Sequence, residues 1–462
     1  MTRLVRNPRV WLVAQMAVIT AGLWGAGLLV VRQRNDTPSY LETSRLPAAQ
    51  MLRSTRTVGY PLLLKAVEPF SPDFRLVPWL QLAAHFLGVG FLELAMRRFG
   101  ASPWQAFAVA TGFLYTPLND LGVSYLLTDS LGKTLAVVTV GFLFWTSAWP
   151  RRWLPWVGLT IALACTYHVR PAYLFLVALV PVLGIMLLRL QTARQGKPFR
   201  WKAFALGLAS AGLAPYLGFC LLRLVVVGHF GLVSFAGCNI IGITAEWLDE
   251  KMIATELPEQ WRPLATEILQ ERRRLGLQSP YRESGIDLYV WSGNYVANAM
   301  DVAYPSAQRL YGDDNVVLDR QLLGLSQAVL RVRKAAYLRF LLYNLREGLA
   351  RFLQSGFVLQ VFLVLGFLAF CVRVLLRPEG YEPPAGWAPA AGGTVMHGLL
   401  LAGVSFAAAK LLLVALLEIT IARYVYAAGV LLPSICVLWI VEEVERIRTP
   451  AGACQPAQSE RR

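Results

Sequence analysis

The chain has 462 residues, of which 56% are hydrophobic and 16% are charged, and its mean hydropathy is +0.48. Soluble domains carry roughly 25% charged residues, and several apolar runs here reach the ~20 residues that a helix needs to cross a bilayer. This composition excludes an ordinary soluble protein. Because the runs are too long and unbroken for barrel strands, it predicts an all-α polytopic membrane protein.

The formal charge of +16 does not indicate nucleic-acid binding. Cytoplasmic loops of membrane proteins collect Lys and Arg, and the sequence shows neither a zinc-finger spacing nor a separable basic domain. We therefore expect a lipid bilayer as a partner and no nucleic acid. The six cysteines lie mostly in or beside apolar runs, and they form neither a disulfide framework nor a metal-ligand pattern.

Ten apolar runs predict ten transmembrane helices. The first is interpreted as a retained span, because it continues without a clear small-residue cleavage site. Three long connections separate the spans: the first loop (32–75), segment 229–348 and a Pro/Gly-rich linker (377–393). We expect an N-terminal module at 1–228, a loop domain at 229–348, and C-terminal spans with a tail at 349–462. The predicted spans are 10–31, 76–96, 103–118, 122–148, 153–168, 171–190, 203–227, 349–376, 394–417 and 420–441.

The short loops predict the orientation. Basic residues recur at the N-terminus, at 97–98, at 151–152, at 189–202 and in the C-terminal tail, so the positive-inside rule makes this face cytoplasmic and both termini internal. The first loop carries seven basic residues between Arg32 and Arg75, which by the same rule would place this loop in the cytoplasm. We interpret that excess as functional. The first loop, with its amphipathic stretch, and the loop domain are then extracytoplasmic.

The first loop carries the first candidate site. Asp36 lies about one helical turn beyond the expected membrane edge, Tyr40 follows one turn later, and Arg56 precedes a turn containing Tyr60. Asp36 could be an interfacial acid paired with a nearby arginine. It could also be a general base that takes a proton from an acceptor hydroxyl as a glycosidic bond forms. The basic surroundings and Tyr40 favour the second interpretation.

A second carboxylate, Asp129, stands at the start of the fourth span. An acid there can be a plain first-turn residue favoured by the helix dipole, or it can pair with Lys133 one turn later. If it faces Asp36 across a cleft, the two carboxylates could divide the base and sugar-hydroxyl-binding roles. Asp120, just upstream, is a weaker candidate.

Two arginines near later spans are candidates for anion binding. Arg170 lies at the predicted membrane edge, and its planar fork can donate two parallel hydrogen bonds to a phosphate; snorkelling to lipid headgroups is the alternative. His168 could be a second phosphate donor. Arg423, followed by Tyr424, opens the last span, where a charge is costly unless it faces a polar cavity. Its partner would be the same anion or Glu418.

Taken in order, these motifs resemble those of the GT-C membrane glycosyltransferases, the group that includes protein O-mannosyltransferases and aminoarabinose-lipid A transferases. The resemblance covers the first 190 residues and, loosely, the C-terminal motif. It implies a GT-C-like fold in a bacterial inner membrane, with a polyprenyl-phosphate sugar donor used on the extracytoplasmic face. The motifs are the acid and tyrosine at Asp36 and Tyr40, RTVGYP at 56–61, TDSL at 128–131, RP at 170–171 and RY at 423–424.

The resemblance also implies roles for individual residues. Asp36 takes the catalytic position, Arg170 holds the donor phosphate, and Arg56 and Arg423 assist. Many members have two adjacent acids after the first span, whereas this chain has Asn35 before Asp36. One carboxylate beside an amide is a poor divalent-cation site, so no metal ligand is predicted and no cofactor is certain.

The expected activity is transfer of a sugar from a polyprenyl-phosphate donor to a hydroxyl of a glycan, lipid or protein acceptor. One alternative is a polysaccharide polymerase or ligase that uses pyrophosphate-linked donors. Another is a lipid-carrier transporter or flippase without chemistry, which the unequal loops and the lack of matching halves disfavour. A third is a structural membrane subunit, in which the outer charges would pair among themselves and leave no cavity. Asp36 and Arg170 lying far apart would exclude the enzyme.

Overall fold

The computed structural model describes residues 7–119, 122–196, 198–199, 201–282, 285–354, 356–375, 391–420 and 422–448. Most of this part of the chain is helical, and the rest is mainly turns and loops. One exception is an antiparallel hairpin of two short strands, β1 (Tyr281–Arg282) and β2 (Gly285–Ile286), in which Tyr281 pairs with Ile286.

The helices fall into three groups along the chain. Helices α1 to α10 are Pro8–Gly25, Thr37–Arg45, Ala48–Met51, Gly59–Val67, Leu76–Phe99, Pro103–Leu114, Asp129–Ala148, Trp153–Val169, Phe175–Arg194 and Trp201–Val227. Helices α11 to α17 are Ala236–Thr244, Glu250–Thr255, Arg262–Arg274, Leu288–Val296, Tyr304–Tyr311, Asn315–Val332 and Lys334–Gln354. Helices α18 to α21 are Phe357–Leu375, Ala391–Leu417, Ala422–Tyr426 and Leu432–Arg448.

Six helices in the described ranges are long and apolar enough to cross a membrane, and the bent pair of α17 and α18 would add a seventh. Helix α8 is apolar but has 17 residues, about 26 Å of helix against the ~30 Å of a bilayer core. The coarse prediction of a helical membrane protein is confirmed, while the count of ten stays a prediction. The six spans are Leu76–Phe99, Asp129–Ala148, Pro171–Arg194, Trp201–Val227, Gly393–Leu417 and Arg423–Glu445.

The predicted span 122–148 begins as an α-helix only at Asp129, after a 3₁₀ turn at Gly122–Ser124. The intervening backbone pairs with the start of the first loop: Arg32 N donates to Ser124 O at 2.9 Å, and Leu126 N donates to Arg32 O at 3.1 Å. Since these groups bond to another segment, they cannot extend the helix. The same bridge brings the first loop beside the N-terminus of α7.

The predicted span 349–376 is likewise divided. Helices α17 and α18 meet at a bend of 65°, and Gly356 between them has a φ of +92°. A positive φ of this kind is accessible to glycine and ends a regular helix. Helix α17 therefore belongs partly to the loop domain, while α18 carries the apolar run.

Aromatic and small residues join the helices of the bundle core. Phe99 of α5 meets Phe144 of α7 with ring centroids 4.8 Å apart, an edge-to-face geometry that aromatic pairs favour. The C-terminal helix α21 lies against α6, where Ser434 Oγ donates to Val109 O at 2.7 Å. A Cβ on Gly112 would lie 2.3 Å from the Ser434 backbone, so only glycine permits this approach. The C-terminal segment is thereby held against the N-terminal bundle.

Residues of the loop domain form a separate hydrophobic core. The Trp291 and Phe340 rings stack with centroids 4.8 Å apart, and both side chains are fully buried. A buried ion pair joins Arg272 Nη2 to Glu246 Oε2 at 2.7 Å, and Asn298 Nδ2 donates to Glu246 Oε1 at 2.7 Å. Both Glu246 oxygens are thus bonded, which a buried charge requires.

The first loop docks on the C-terminal end of α8 through the RTVGYP segment. Thr57 Oγ1 donates to Val169 O at 3.4 Å. A Cβ on Gly59 would lie 2.6 Å from His168 O, so the glycine allows two backbones to touch. Arg223 Nε of α10 donates to Leu52 O at 3.0 Å and fixes the other side of the loop. This part of the motif therefore positions the loop.

We expect Gly59→Ala to lower the thermal unfolding midpoint of the purified protein, because the new Cβ would clash with backbone atoms that cannot rotate away. Overpacking of this kind typically costs about 1–3 kcal/mol. Gly90→Ala in α5 is the control, since no heavy atom lies within 4 Å of its Cβ position and alanine favours a helix. Equal midpoints for the two variants would contradict the close docking.

Candidate functional site

Five residues predicted from sequence form a single network of ion pairs, here called the charge cluster: Asp36, Arg56, Asp129, Arg170 and Arg423. Arg423 Nη1 lies 2.8 Å from Asp36 Oδ2 and its Nη2 lies 2.7 Å from Asp129 Oδ2. Arg56 Nη2 lies 3.0 Å from Asp36 Oδ1, and Arg170 Nη1 lies 2.7 Å from Asp129 Oδ1. Residues nearly 400 positions apart thus share one site.

Local sequence explains how each member reaches the cluster. Asp36 immediately precedes α2, and Asp129 is the first residue of α7, where the positive end of the helix dipole favours a carboxylate. Arg170 has extended backbone angles, φ −146° and ψ 105°, as expected for a residue before Pro171. That proline ends α8 and leaves the Arg170 side chain beside α7. Arg423 lies in the short helix α20.

Hydroxyl and aromatic groups surround the cluster. The Tyr40 hydroxyl lies 3.4 Å from Thr128 Oγ1, and Arg170 Nη1 donates to the same Thr128 oxygen at 3.1 Å. The Arg56 Cζ atom lies 4.7 Å from the Tyr40 ring centroid, within cation–π range. The Tyr424 ring centroid lies 5.7 Å from Arg170 Cζ. Tyr40 and Tyr424 therefore lie beside the charge cluster, and their predicted role in substrate binding stays a prediction.

Tyr60 and His168, two further residues predicted for the site, have surroundings different from those of Tyr40 and Tyr424. Tyr60 is fully buried, and its ring meets that of Tyr40 edge to face, with centroids 5.4 Å apart, so it supports Tyr40 from beneath. His168 turns its ring toward Phe219, with centroids 4.3 Å apart. None of its contacts in the described residues is with the charge cluster. Its backbone carbonyl instead lies against Gly59, where the two backbones approach closely.

Sequence reasoning assigned no role to Thr128, which it named only within the TDSL motif, and did not single out Lys410, which lies next to the site but not in the charge cluster. Lys410 of α19 is fully buried, and its Nζ donates to Ala172 O at 2.8 Å and lies 4.9 Å from the Tyr173 ring centroid. The signal was present, because a lone lysine within an apolar run of 27 residues is expensive and marks a functional or structural site. Asp120, the weaker candidate, lies outside the described residues.

The more buried residues of the charge cluster form its inner part, here called the floor, and the more exposed residues form its outer part, here called the mouth. The Arg170 and Asp129 side chains are 7% and 11% exposed, whereas Arg423 and Asp36 are 25% and 31% exposed. Asp129 is thus enclosed between two arginines, and Asp36 stands where a ligand could reach it. The arrangement gives the two carboxylates different environments.

The pKa of Asp36 reflects opposing effects. Burial alone would raise it, but the nearby Arg56 and Arg423 guanidinium groups outweigh burial and hold the pKa of this carboxyl below its ordinary value. Asp36 is therefore ionised at any neutral pH. While both arginines remain attached it is a weak base, so proton abstraction requires that at least one of them be drawn away.

The charge count of the cluster favours an anionic ligand. Three guanidinium groups and two carboxylates leave a net charge of plus one. A phosphodiester carries a single negative charge, and forked arginines bind phosphate oxygens well. The two carboxylates are poor ligands for a divalent cation, because all four of their oxygens already accept hydrogen bonds from arginines.

Comparisons with family models, curated proteins and solved structures found no match to this chain. The GT-C resemblance therefore remains an expectation from the order of the motifs. What the chain can do must be inferred from the geometry of the charge cluster and its surroundings.

We expect Asp129→Asn to destabilise the protein, because it leaves the buried guanidinium group of Arg170 without its counter-ion and removes one of the two carboxylates that Arg423 contacts. Breaking a buried ion pair costs about 3–5 kcal/mol. The control is Glu250→Gln, which removes an exposed pair with Arg273, a type worth about 0–1 kcal/mol. Thermal unfolding in detergent checks both, and equal losses would show that the cluster does not stabilise the fold.

Proposed function

We propose that the chain is a membrane glycosyltransferase that transfers a sugar from a polyprenyl-phosphate donor to a hydroxyl of a glycan, lipid or protein acceptor. The observation that carries the proposal is the charge cluster. Its net positive charge, its three arginines and its one accessible carboxylate match the needs of this reaction. The GT-C resemblance independently suggests the same residues.

Donor binding would use Arg170 and Arg423. Their positions on either side of Asp129 fix two guanidinium groups before any ligand arrives, which lowers the entropic cost of binding. Asp129 serves as a positioning residue in this proposal, since both of its carboxylate oxygens are already bonded to arginines. Thr128 and Tyr40 add hydroxyl groups beside the same face.

The chemical step would begin when the donor phosphate competes for Arg423. As that guanidinium turns toward the phosphate, Asp36 loses one of its two ion pairs and becomes more basic. An Asp36 oxygen then takes the acceptor hydroxyl proton while the acceptor oxygen bonds to the anomeric carbon. The bond from that carbon to the phosphate oxygen breaks, its electron pair stays on the phosphate, and the arginines stabilise the growing negative charge.

The lipid tail of the donor would run beside α17. This helix braces the segment before Arg423, since Asn344 Oδ1 accepts from Thr420 N at 2.9 Å and Arg351 Nη1 donates to Thr420 O at 3.1 Å. Its outer side exposes large apolar residues, including Leu338 and Leu342. A polyprenyl chain lying on this surface would bring its phosphate to the cluster.

The acceptor would approach past the loop domain. The Phe235 ring centroid lies 5.8 Å from Arg56 Cζ, and Asp314 Oδ2 pairs with Arg53 Nη1 of the first loop at 2.9 Å. The loop domain thus touches the mouth of the cluster on the side of Arg56 and Asp36. This contact supports a role in acceptor recognition.

We expect Asp36→Asn to abolish sugar transfer from radiolabelled polyprenyl-phosphate sugars while donor binding persists, because the amide cannot accept the proton. Membranes with equal amounts of each protein provide the measurement. Asp73→Asn is the matched control, since the partners of this exposed acid among the described residues are its neighbours Arg75 and Ser71, and it should leave transfer unchanged.

Equal transfer by wild type and Asp36→Asn would remove Asp36 from the catalytic role. If wild type used only pyrophosphate-linked donors, the polymerase alternative would replace the proposal. Binding of the lipid carrier with no transfer from any donor would favour a carrier-binding transporter.

We expect Arg170→Lys to raise the KM for the donor by about tenfold or more with a smaller change in kcat. Lysine keeps the charge, but it is a point donor and cannot offer two parallel hydrogen bonds to phosphate. Arg75→Lys, at a highly exposed position, controls for the substitution type. An unchanged donor KM in Arg170→Lys would contradict phosphate binding by Arg170.

A further inference from the structure

A cavity lies at the end of the helix bundle opposite the charge cluster. It has a volume of about 860 Å³ and opens between the C-terminal ends of α7 and α9 and the N-terminal ends of α8 and α10. We call it the basic pocket. The lining residues that matter here are Ser147, Trp149, Arg151, Arg152, Trp156 and Gln191.

The basic pocket is distinct from the candidate active site. Asp129 begins α7 and Ser147 nearly ends it, so at ~1.5 Å per residue about 27 Å of helix separates them. That length is close to the thickness of a bilayer core. The pocket therefore lies at the headgroup level on the other face of the membrane.

The pocket concentrates uncompensated positive charge. Arg151 and Arg152 line it, no acidic residue is among its described lining residues, and neither arginine has an ion pair or hydrogen bond from its side chain within the described parts of the chain. Arg98 adds a third cation, with Cζ 4.6 Å from the Trp149 ring centroid. Elsewhere at this end Glu93 is already bonded to other arginines.

The walls of the pocket suit a lipid. Trp149 and Trp156 place indole rings at the depth where tryptophan is enriched in membrane proteins, and Trp156 Nε1 is fixed by donating to Pro150 O at 2.9 Å. The two helices that start at the pocket continue with exposed apolar side chains. Ile161 of α8 is 58% exposed and Leu206 of α10 is 69% exposed.

We propose that the basic pocket binds the headgroup of an anionic phospholipid, whose acyl chains lie along α8 and α10. Basic pockets between transmembrane helices recognise such headgroups, and the cavity volume lies in the range of small-ligand sites. A zwitterionic headgroup would bring a cation to a site with no acid to receive it. A free phosphate would leave the tryptophans and the apolar walls without a partner.

The test uses the purified, delipidated full-length chain in detergent. Native mass spectrometry and thermal unfolding would be followed while phosphatidylglycerol or, separately, phosphatidylcholine is added. We expect saturable retention of phosphatidylglycerol and a rise in the unfolding midpoint, with little of either for phosphatidylcholine. Equal effects of the two lipids would overturn the proposal, and so would equal protection by inorganic phosphate alone.

Variants distinguish a pocket from general surface charge. The double substitution Arg151→Gln with Arg152→Gln should weaken phosphatidylglycerol binding roughly tenfold or more, while Arg151→Lys with Arg152→Lys should retain most of it. The control is Arg189→Gln with Lys202→Gln, which removes two exposed charges from the same end outside the pocket lining. Equal weakening by the two Gln pairs would overturn the proposal. If the Gln pair fails to fold, loss of binding in the Lys pair would overturn it as well.

Discussion

The structure depends on the bridge that Arg423 makes between Asp36 and Asp129. Without it, two carboxylates from separate segments would face each other and repel. Because the arginine comes from the C-terminal part of the chain, one side chain holds the first loop, the start of α7 and α20 together. The close contact of α21 with α6 at Gly112 holds the segment that follows Arg423 against the N-terminal bundle.

The same bridge separates the roles of two chemically identical groups. Asp129 lies between Arg170 and Arg423 at the floor, whereas Asp36 shares its arginines near the mouth. Electrostatic interactions strengthen as water is excluded, so the inner pair holds its geometry while the outer pair can exchange partners with an incoming anion. Such an arrangement would suit the proposed reaction, which both binds a phosphate and moves a proton.

Much of this could be predicted from sequence, and the failures have physical reasons. Apolar runs indicate helices because backbone groups in lipid must bond internally, and the order of short motifs was enough to bring Asp36, Asp129 and Arg170 into one site. The beginning of the fourth span was not predictable to the residue: the predicted span starts at 122, but the backbone at Ser124 and Leu126 pairs with Arg32 and the α-helix starts at Asp129. His168 was predicted to donate to phosphate because its side chain is polar. Its ring instead contacts Phe219, which belongs to another helix, and a contact between separate helices leaves no pattern in the local sequence.

The first loop carries an excess of bases that conflicts with the positive-inside rule, and the structure shows how most of that charge is held. Arg45 pairs with Glu68, Arg53 with Asp314 and Arg75 with Asp73, while Arg34 Cζ lies 4.2 Å from the Tyr125 ring centroid. Arg151 and Arg152, at the opposite end, have no such partners among the described residues. Both faces are therefore rich in arginine, and within the described residues they differ in whether those arginines are paired.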